Sequence, residues 1–200
     1  MYMRIYYINL EHREDRRVHM NKVVGDLQFK ENQVTRVTGH YVPDNGALGC
    51  ALSHIEVIEN FLRSKEKSCI ILEDDFMYYD IDNFNKQLKR FYESDLEWNL
   101  IQLSSNTIKS QPTSYKFINR ILESQTTSGY MLNINFANKL LDCFVESSNN
   151  LKDGSKHEWH IDQNWKKLQI NNLWYCFEPK LGYQIDGWSD IEKMNVTYKC

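Results

Sequence analysis

The sequence predicts an α/β fold built on a mostly parallel sheet flanked by helices, and three observations carry that expectation. Segments rich in β-branched and aromatic residues alternate with segments whose apolar residues recur at helical spacing, through most of the chain. The run Ser68-Cys-Ile-Ile-Leu72 is almost unbroken in its apolar character, as a central strand covered on both faces requires. The chain has 200 residues, 42% of them hydrophobic and 26% charged, with eight glycines and three prolines. That length suits one domain able to bury a core, and that composition excludes disordered, collagen-like and low-complexity chains.

Residues 2–10 read as the first strand, and 11–26 as a helix that places Val18, Val23 and Leu27 at roughly helical intervals. Residues 33–38 form a second strand. The turn Pro43-Asp-Asn-Gly46 leads into a helix over 47–64, where Leu48, Leu52, Ile55, Ile58 and Leu62 share one face. After the strand at 68–72, residues 81–92 are helical and 98–103 a strand, while 109–119 are polar enough for a mobile loop. Residues 126–133 read as a strand, 136–145 as a helix, 147–156 as a polar linker, 160–168 as a short helix and 173–177 as a strand. With Gly182, Gly187 and Ser189, the final 20 residues are expected to be irregular. In such a fold, ligands bind at the carboxyl ends of the strands.

Lysine and arginine number 24 against 27 aspartates and glutamates, giving a net charge of −3 and a pI near 6.1. No global field draws this chain to nucleic acid or anionic lipid, so any anion it binds is held locally. The sequence shows no signal peptide and no apolar run long enough for an integral membrane segment. Cys50, Cys69, Cys143, Cys176 and Cys200 are odd in number and mostly within apolar stretches, which points to reduced thiols and a cytoplasmic location. On that expectation the sequon Asn195-Val-Thr197 is a chance match.

Four motifs bear chemistry. Glu73-Asp74-Asp75 directly follows the apolar strand, where adjacent carboxylates repel unless a cation joins them. A hard ion such as Mg²⁺ or Mn²⁺ prefers carboxylate oxygens and bridges them to a diphosphate, whereas a solvated acidic turn is the alternative. Arg13, Arg16 and Arg17 cluster at a helix start, where the macrodipole favours acids, so they suit an anion or else pair with Glu14 and Asp15. Gly46-Ala-Leu-Gly49-Cys-Ala-Leu-Ser53-His54 opens a helix with two glycines that permit close backbone approach, and His54 taken alone suits a hydrogen-bonded structural role. The dinucleotide and P-loop patterns are absent. In His157-Glu-Trp-His160-Ile-Asp162 the spacing allows a zinc site but no second cluster completes one, and Asp162 suits a general base or a helix N-cap.

In order and rough spacing, Tyr7-Ile-Asn-Leu10, Arg13 with Asp15-Arg16-Arg17, Gly49-Cys-Ala-Leu-Ser-His54 and Ile71-Leu-Glu-Asp-Asp75 form one set. Thr126-Thr-Ser-Gly-Tyr130, Lys139-Leu-Leu141, Asp162 and Ser189-Asp190-Ile191 continue it over nearly the whole chain. The sequence resembles glycosyltransferase family 25, which includes bacterial lipooligosaccharide galactosyltransferases and collagen hydroxylysine glycosyltransferases. The resemblance implies a GT-A-like, Rossmann-type fold. It further implies a Mn²⁺ or Mg²⁺ ion held by Glu73 and Asp75, and a UDP-sugar bordered by Asn9, Arg13, Arg16, Gly49, Ser53, His54, Glu73 and Asp74.

The implied reaction is inverting transfer of a hexose, galactose or glucose, from a UDP-hexose to a hydroxyl of a glycan or of collagen-like hydroxylysine. Asp162 is the first choice of base and Asp190 the second. Two features depart from the family pattern: Ala47-Leu48 stands where an acidic residue is common, and a histidine-tryptophan stretch precedes Asp162 in place of Pro-Val-Asp. Residues 1–200 are expected to form a single domain whose closing C-terminal segment is short or absent. The rival readings are a metal-dependent phosphoesterase using Glu73, Asp75, His157 and His160, and an inactive family member serving as a binding module.

Overall fold

In the computed structural model, which describes residues 3–27, 29–154 and 156–197, the first half follows the expected alternation closely. Strand β1 (Arg4–Asn9) leads to helix α1 (Glu14–Asp26), and β2 (Val34–Thr38) leads to α2 (Gly46–Arg63). Asn45 caps α2, its side-chain oxygen accepting from the Leu48 N–H at 3.0 Å. Next come β3 (Ser68–Glu73), the short β4 (Phe76–Tyr78), α3 (Ile81–Tyr92) and β5 (Leu100–Gln102). Asp80 caps α3 by accepting from the N–H groups of Asp82 and Asn83. The second half holds β6 (Asn106–Pro112), β7 (Ile118–Gln125), β8 (Gly129–Asn133) and α4 (Ile134–Leu151). It ends with two single-turn helices, α5 (Ile161–Asn164) and α6 (Lys166–Gln169), then β9 (Trp174–Phe177), β10 (Gly182–Gln184), β11 (Gly187–Ser189) and β12 (Met194–Val196).

Eight strands form one sheet in the order β2-β1-β3-β8-β5-β9-β7-β6. Six of them point the same way and β8 and β7 run against them, so the sheet is mostly parallel in direction though mixed in its pairings. Both faces are covered, and successive side chains divide between two cores. Tyr6 and Ile8 of β1 and Cys69 and Ile71 of β3 pack with α2 and α4, joined by Tyr130, Phe144, Trp165 and Trp174. Ile5 and Tyr7 of β1 and Ile70 and Leu72 of β3 pack on the other face, with Met20 and Val23 of α1 and Phe84, Leu88 and Phe91 of α3. The continuous apolar runs are the signature of this arrangement, because the residues inside the ends of β1 and β3 are all buried.

Three expectations are corrected. The mobile loop expected over 109–119 is instead the end of β6, a short turn and the start of β7, the two strands pairing antiparallel along the sheet edge. The linker over 147–156 begins as helix, since α4 runs to Leu151. Its extra turn is held by polar contacts: Ser147 and Ser148 are buried, and Asn164 Nδ2 donates to Ser147 Oγ at 3.0 Å and Cys143 O at 3.1 Å. The tail is not wholly irregular, because β10 pairs with β4 and β11 with β12. Among the described cysteines, Cys50, Cys69, Cys143 and Cys176 are free thiols, and Cys200 lies outside the described residues. No helix among the described residues is long and apolar enough to cross a membrane.

Candidate active site

Parallel β1 and β3 end side by side, at Asn9 and Glu73, and the acidic turn begins there. Asn9, almost fully buried, ties the two ends together: its Nδ2 donates to Asp74 Oδ2 at 2.8 Å and to Arg13 O at 3.0 Å. Arg36 of β2 donates to Asn9 Oδ1 at 3.0 Å and fixes the amide from behind. Asp75 is aimed by the strand that follows it. β4 pairs with β10, so Gln184 comes alongside and donates to Asp75 Oδ2 at 3.1 Å, while Ile185 N–H donates to Asp75 O at 2.8 Å.

Arg16, one turn into α1, places Nη1 at 2.7 Å from Asp74 Oδ1 and 3.0 Å from Asp75 Oδ2, and its Nη2 donates to Trp188 O at 2.9 Å. Arg13 is the N-terminal flanking residue of α1 and caps nothing, since a guanidinium has no acceptor. It instead holds Asp15 through two nitrogens and donates to Asp190 Oδ2 at 2.8 Å. Both arginines therefore tether the 188–190 segment to the acidic rim.

Helix α2 contributes the opposite wall. A Cβ on Gly49 would lie 2.3 Å from His40 O, so only glycine lets the 39–42 segment seat on the helix. Ser53 Oγ completes that seat, accepting from His40 N–H at 2.8 Å and donating to Gly49 O at 2.7 Å. A Cβ on Gly46 would meet Ile191 Cα at 2.7 Å, so the tail crosses the start of α2 by the same device. His54 is fully buried: Nδ1 accepts from Tyr130 OH at 2.9 Å and Nε2 donates to Glu73 Oε1 at 3.0 Å. Thr127 Oγ1 donates to the same Glu73 oxygen at 2.6 Å.

These contacts set the electrostatics. Burial pushes the Asp75 carboxyl up, the negative charge of Glu73 adds to it, and the two outweigh Arg16 to leave the group near pH 7, at about 7. Burial acts on Glu73 in the same direction, but the hydrogen bonds from His54 and Thr127 and the charge of Arg16 overcome it and hold Glu73 below its ordinary value. Cys50 is pushed well above the thiol range, by burial first and then by Glu73, so it meets the cleft as a neutral thiol.

Two connected clefts result. The first, of about 110 Å³, has Arg16, Gly49, Ser53, His54, Glu73, Asp74, Asp75 and Asp190 among its walls. The second, of about 270 Å³, contains Asp162 with His157, His160, Gln125 and Thr126, and shares Cys50, Glu73, Gln184, Ser189 and Ile191 with the first. Asp162 is not the N-cap of α5, which is His160, and its Oδ2 accepts from Thr126 N–H at 3.2 Å. Thr126 holds that donor in place with φ at +82°, a left-handed conformation that a threonine adopts only under constraint. Of the residues expected at the site, Asn9 and Arg13 act from behind the walls and Asp162 stands in the second cleft; the rest converge on the first. Sequence reasoning missed Cys50, Thr127 and Gln184 as site residues; Cys50 and Thr127 lie within motifs already singled out, and only Gln184 stands outside one.

The family model of glycosyltransferase family 25 (LPS biosynthesis protein) matches residues 44–154, more than half of the chain and the whole stretch from the turn before α2 to the end of α4. The chain belongs to glycosyltransferase family 25. Two solved structures show the fold of this family 25 chain to be GT-A. A glycosyltransferase involved in the glycosylation of the major capsid of PBCV-1 is similar over 96% of each chain, at 10% identity and a TM-score of 0.60. The Drosophila β1,4-galactosyltransferase 7, solved in a mutant form with manganese, UDP-Gal and xylobiose, is similar over 100% of this chain and 76% of its own, at 8% identity and a TM-score of 0.50. No curated protein matches the chain.

The donor set of the family 25 chain fits a divalent cation. Asp75 Oδ1 is buried and has no hydrogen-bond partner among the described residues, an arrangement that costs free energy until a donor or cation arrives. Glu73 is the second carboxylate, although His54 and Thr127 occupy its Oε1. Cys50, His54 and Glu73 also bring one ligand atom each to within 4.8 Å of one another, a softer set at the boundary of the two clefts.

Proposed function

We propose that this family 25 chain transfers a hexose from a UDP-sugar to an acceptor hydroxyl with inversion at the anomeric carbon, the donor in the first cleft and the acceptor in the second. The observation that carries the reading is the unpartnered Asp75 oxygen, buried at the strand edge beside the Arg16 guanidinium. Bound there by Asp75 and Glu73, Mn²⁺ or Mg²⁺ would supply positive charge to offset that of the departing UDP.

The chain's own residues account for the remaining steps. Arg16 is pre-oriented by Asp74, Asp75 and Trp188 O and adds fixed positive charge at the rim, where leaving-group charge grows. Gly49 and Ser53 shape the donor wall by seating the 39–42 segment, and His54 orients Glu73. Asn9 and Arg13 brace Asp74 and Asp190. Asp162, oriented through Oδ2 by Thr126 N–H, takes the proton of the acceptor hydroxyl as that oxygen attacks the anomeric carbon. Asp190, paired with Arg13 in the first cleft, is the second candidate base.

The test is release of UDP from UDP-galactose and UDP-glucose in the presence of Mn²⁺, with and without glycan or collagen-like peptide acceptors. UDP release that depends on Mn²⁺ and on Asp75 supports the reading. Failure to bind or cleave either donor, or release of phosphate from simple esters instead, would refute it.

A further inference from the structure

Charge is divided unevenly between the two clefts. In the first, Arg16 stands among Asp74 and Asp75, and Arg13 is paired with Asp190. In the second, the walls carry three carboxylates, Glu73, Asp162 and Glu192, and no lysine or arginine among the described residues. His160 is held below its ordinary value, by burial first, and so is neutral near pH 7. Lys166 approaches at Gln125 Oε1, 3.1 Å away, but it also pairs with Glu123 at 3.6 Å. The other polar walls are the His157 imidazole, the Cys50 thiol, and amides and hydroxyls, which can all meet sugar hydroxyls.

We propose that the second cleft selects acceptors by charge: it admits neutral or cationic hydroxyl compounds and rejects those with a phosphate, sulfate or carboxylate near the reacting hydroxyl. This rests on the reading of that cleft as the acceptor side. With Glu73 engaged at the metal, Asp162 and Glu192 are the carboxylates that repel an added anion in this small volume, and like-charge juxtaposition is an effective way to refuse a wrong ligand. The same asymmetry keeps the donor's diphosphate in the half that holds the arginines. Glu192 is the specificity-determining residue. It sits exposed between β11 and β12, its N–H donating to Ser189 Oγ at 3.0 Å, and it lies close enough to His160 to favour the protonated ring. Unlike Glu73 and Asp162, it has no part in the chemistry proposed above.

The test uses the full chain with UDP and Mn²⁺, and three probes of one shape titrated by ligand-observed NMR: methyl glucoside, methyl glucosaminide with its protonated amine, and methyl glucuronide. The uronide should bind about tenfold more weakly than the aminated sugar, a gap of the size one partly screened charge produces. Glu192→Gln should narrow the gap about threefold and Glu192→Lys should bring the uronide level with the glucoside or above it. Equal affinities, tighter binding of the uronide by the wild type, no binding of any probe, or a gap indifferent to residue 192 each overturns the proposal. UDP binding, followed in the same samples, reports separately on the donor reading: UDP held while the sugars bind without charge preference overturns the acceptor inference alone.

Discussion

Arg16 spans two carboxylates with one nitrogen, 2.7 Å from Asp74 and 3.0 Å from Asp75, and still leaves one Asp75 oxygen with no partner among the described residues. One cation does not satisfy a site with this much buried negative charge. Asp75→Asn keeps the shape and removes the charge. Turnover with a UDP-sugar should fall at least about 100-fold, and Mn²⁺-dependent UDP binding should weaken, while the circular dichroism spectrum stays that of the wild type. Near-normal transfer by this variant would remove Asp75 from the metal site.

The same carboxyl makes stability depend on pH in a direction unusual for an aspartate. Its value is about 7 in the folded chain against 3.8 for the ordinary group, so between those values the folded state holds a proton that the unfolded state has released. Stability of the metal-free protein therefore falls as pH rises through that window, and the loss is complete above the folded value. Urea denaturation at about pH 5 and about pH 8 should show a smaller drop for Asp75→Asn than for the wild type. Added Mn²⁺ at the higher pH should restore the wild type and leave the variant unchanged, because only a bound ion shifts the equilibrium.

How much of this was legible in the sequence depends on where burial leaves a pattern. β1 and β3 were legible because both faces are covered, and α3 because its apolar face recurs at helical spacing between the Asp80 cap and Tyr92. The β6–β7 hairpin was not. β6 is exposed and polar, its register shifts between Thr107 and Ser110 break the two-residue period, and the buried positions of β7, Ile118, Ile121 and Ser124, fall three apart. At the site, Glu73-Asp74-Asp75 was visible as a contiguous motif at a strand end. Gln184 was not, since it reaches Asp75 across 109 positions through a three-residue strand pair that carries no periodicity of its own. Cys50 was read as a core thiol because its neighbours are apolar, and only the fold shows it at the boundary of the clefts.

Backbone proximity gives a sharper stability prediction than any side chain here. At Gly49 an added Cβ meets His40 O, a backbone atom that no rotamer moves, whereas at Gly25, also helical, nothing lies within 4 Å. Gly49→Ala should destabilise the chain by about 1–3 kcal/mol and loosen the 39–42 segment that walls the first cleft. Gly25→Ala should be neutral or stabilising by up to about 1 kcal/mol, since alanine is the better helix former. Chemical denaturation of the two variants side by side checks both, and equal effects would mean that the 39–42 segment does not depend on close seating.

The two candidate bases differ in what already holds them. Asp190 accepts from Arg13 at 2.8 Å in an ion pair and forms part of the wall of the first cleft, so its neutralisation should loosen the 188–190 tether and weaken donor binding. Asp162 accepts only a backbone N–H at 3.2 Å among the contacts described for it, and it faces the larger cleft. Asp162→Asn should therefore lower transfer by about 10²–10⁴-fold with UDP affinity unchanged, the magnitude expected for a lost general base. Asp190→Asn should show the reverse emphasis, a rise in the donor KM with a smaller fall in kcat. If Asp190→Asn abolishes kcat at saturating donor while Asp162→Asn does not, the base is Asp190, and the acceptor hydroxyl must enter from the side of the first cleft.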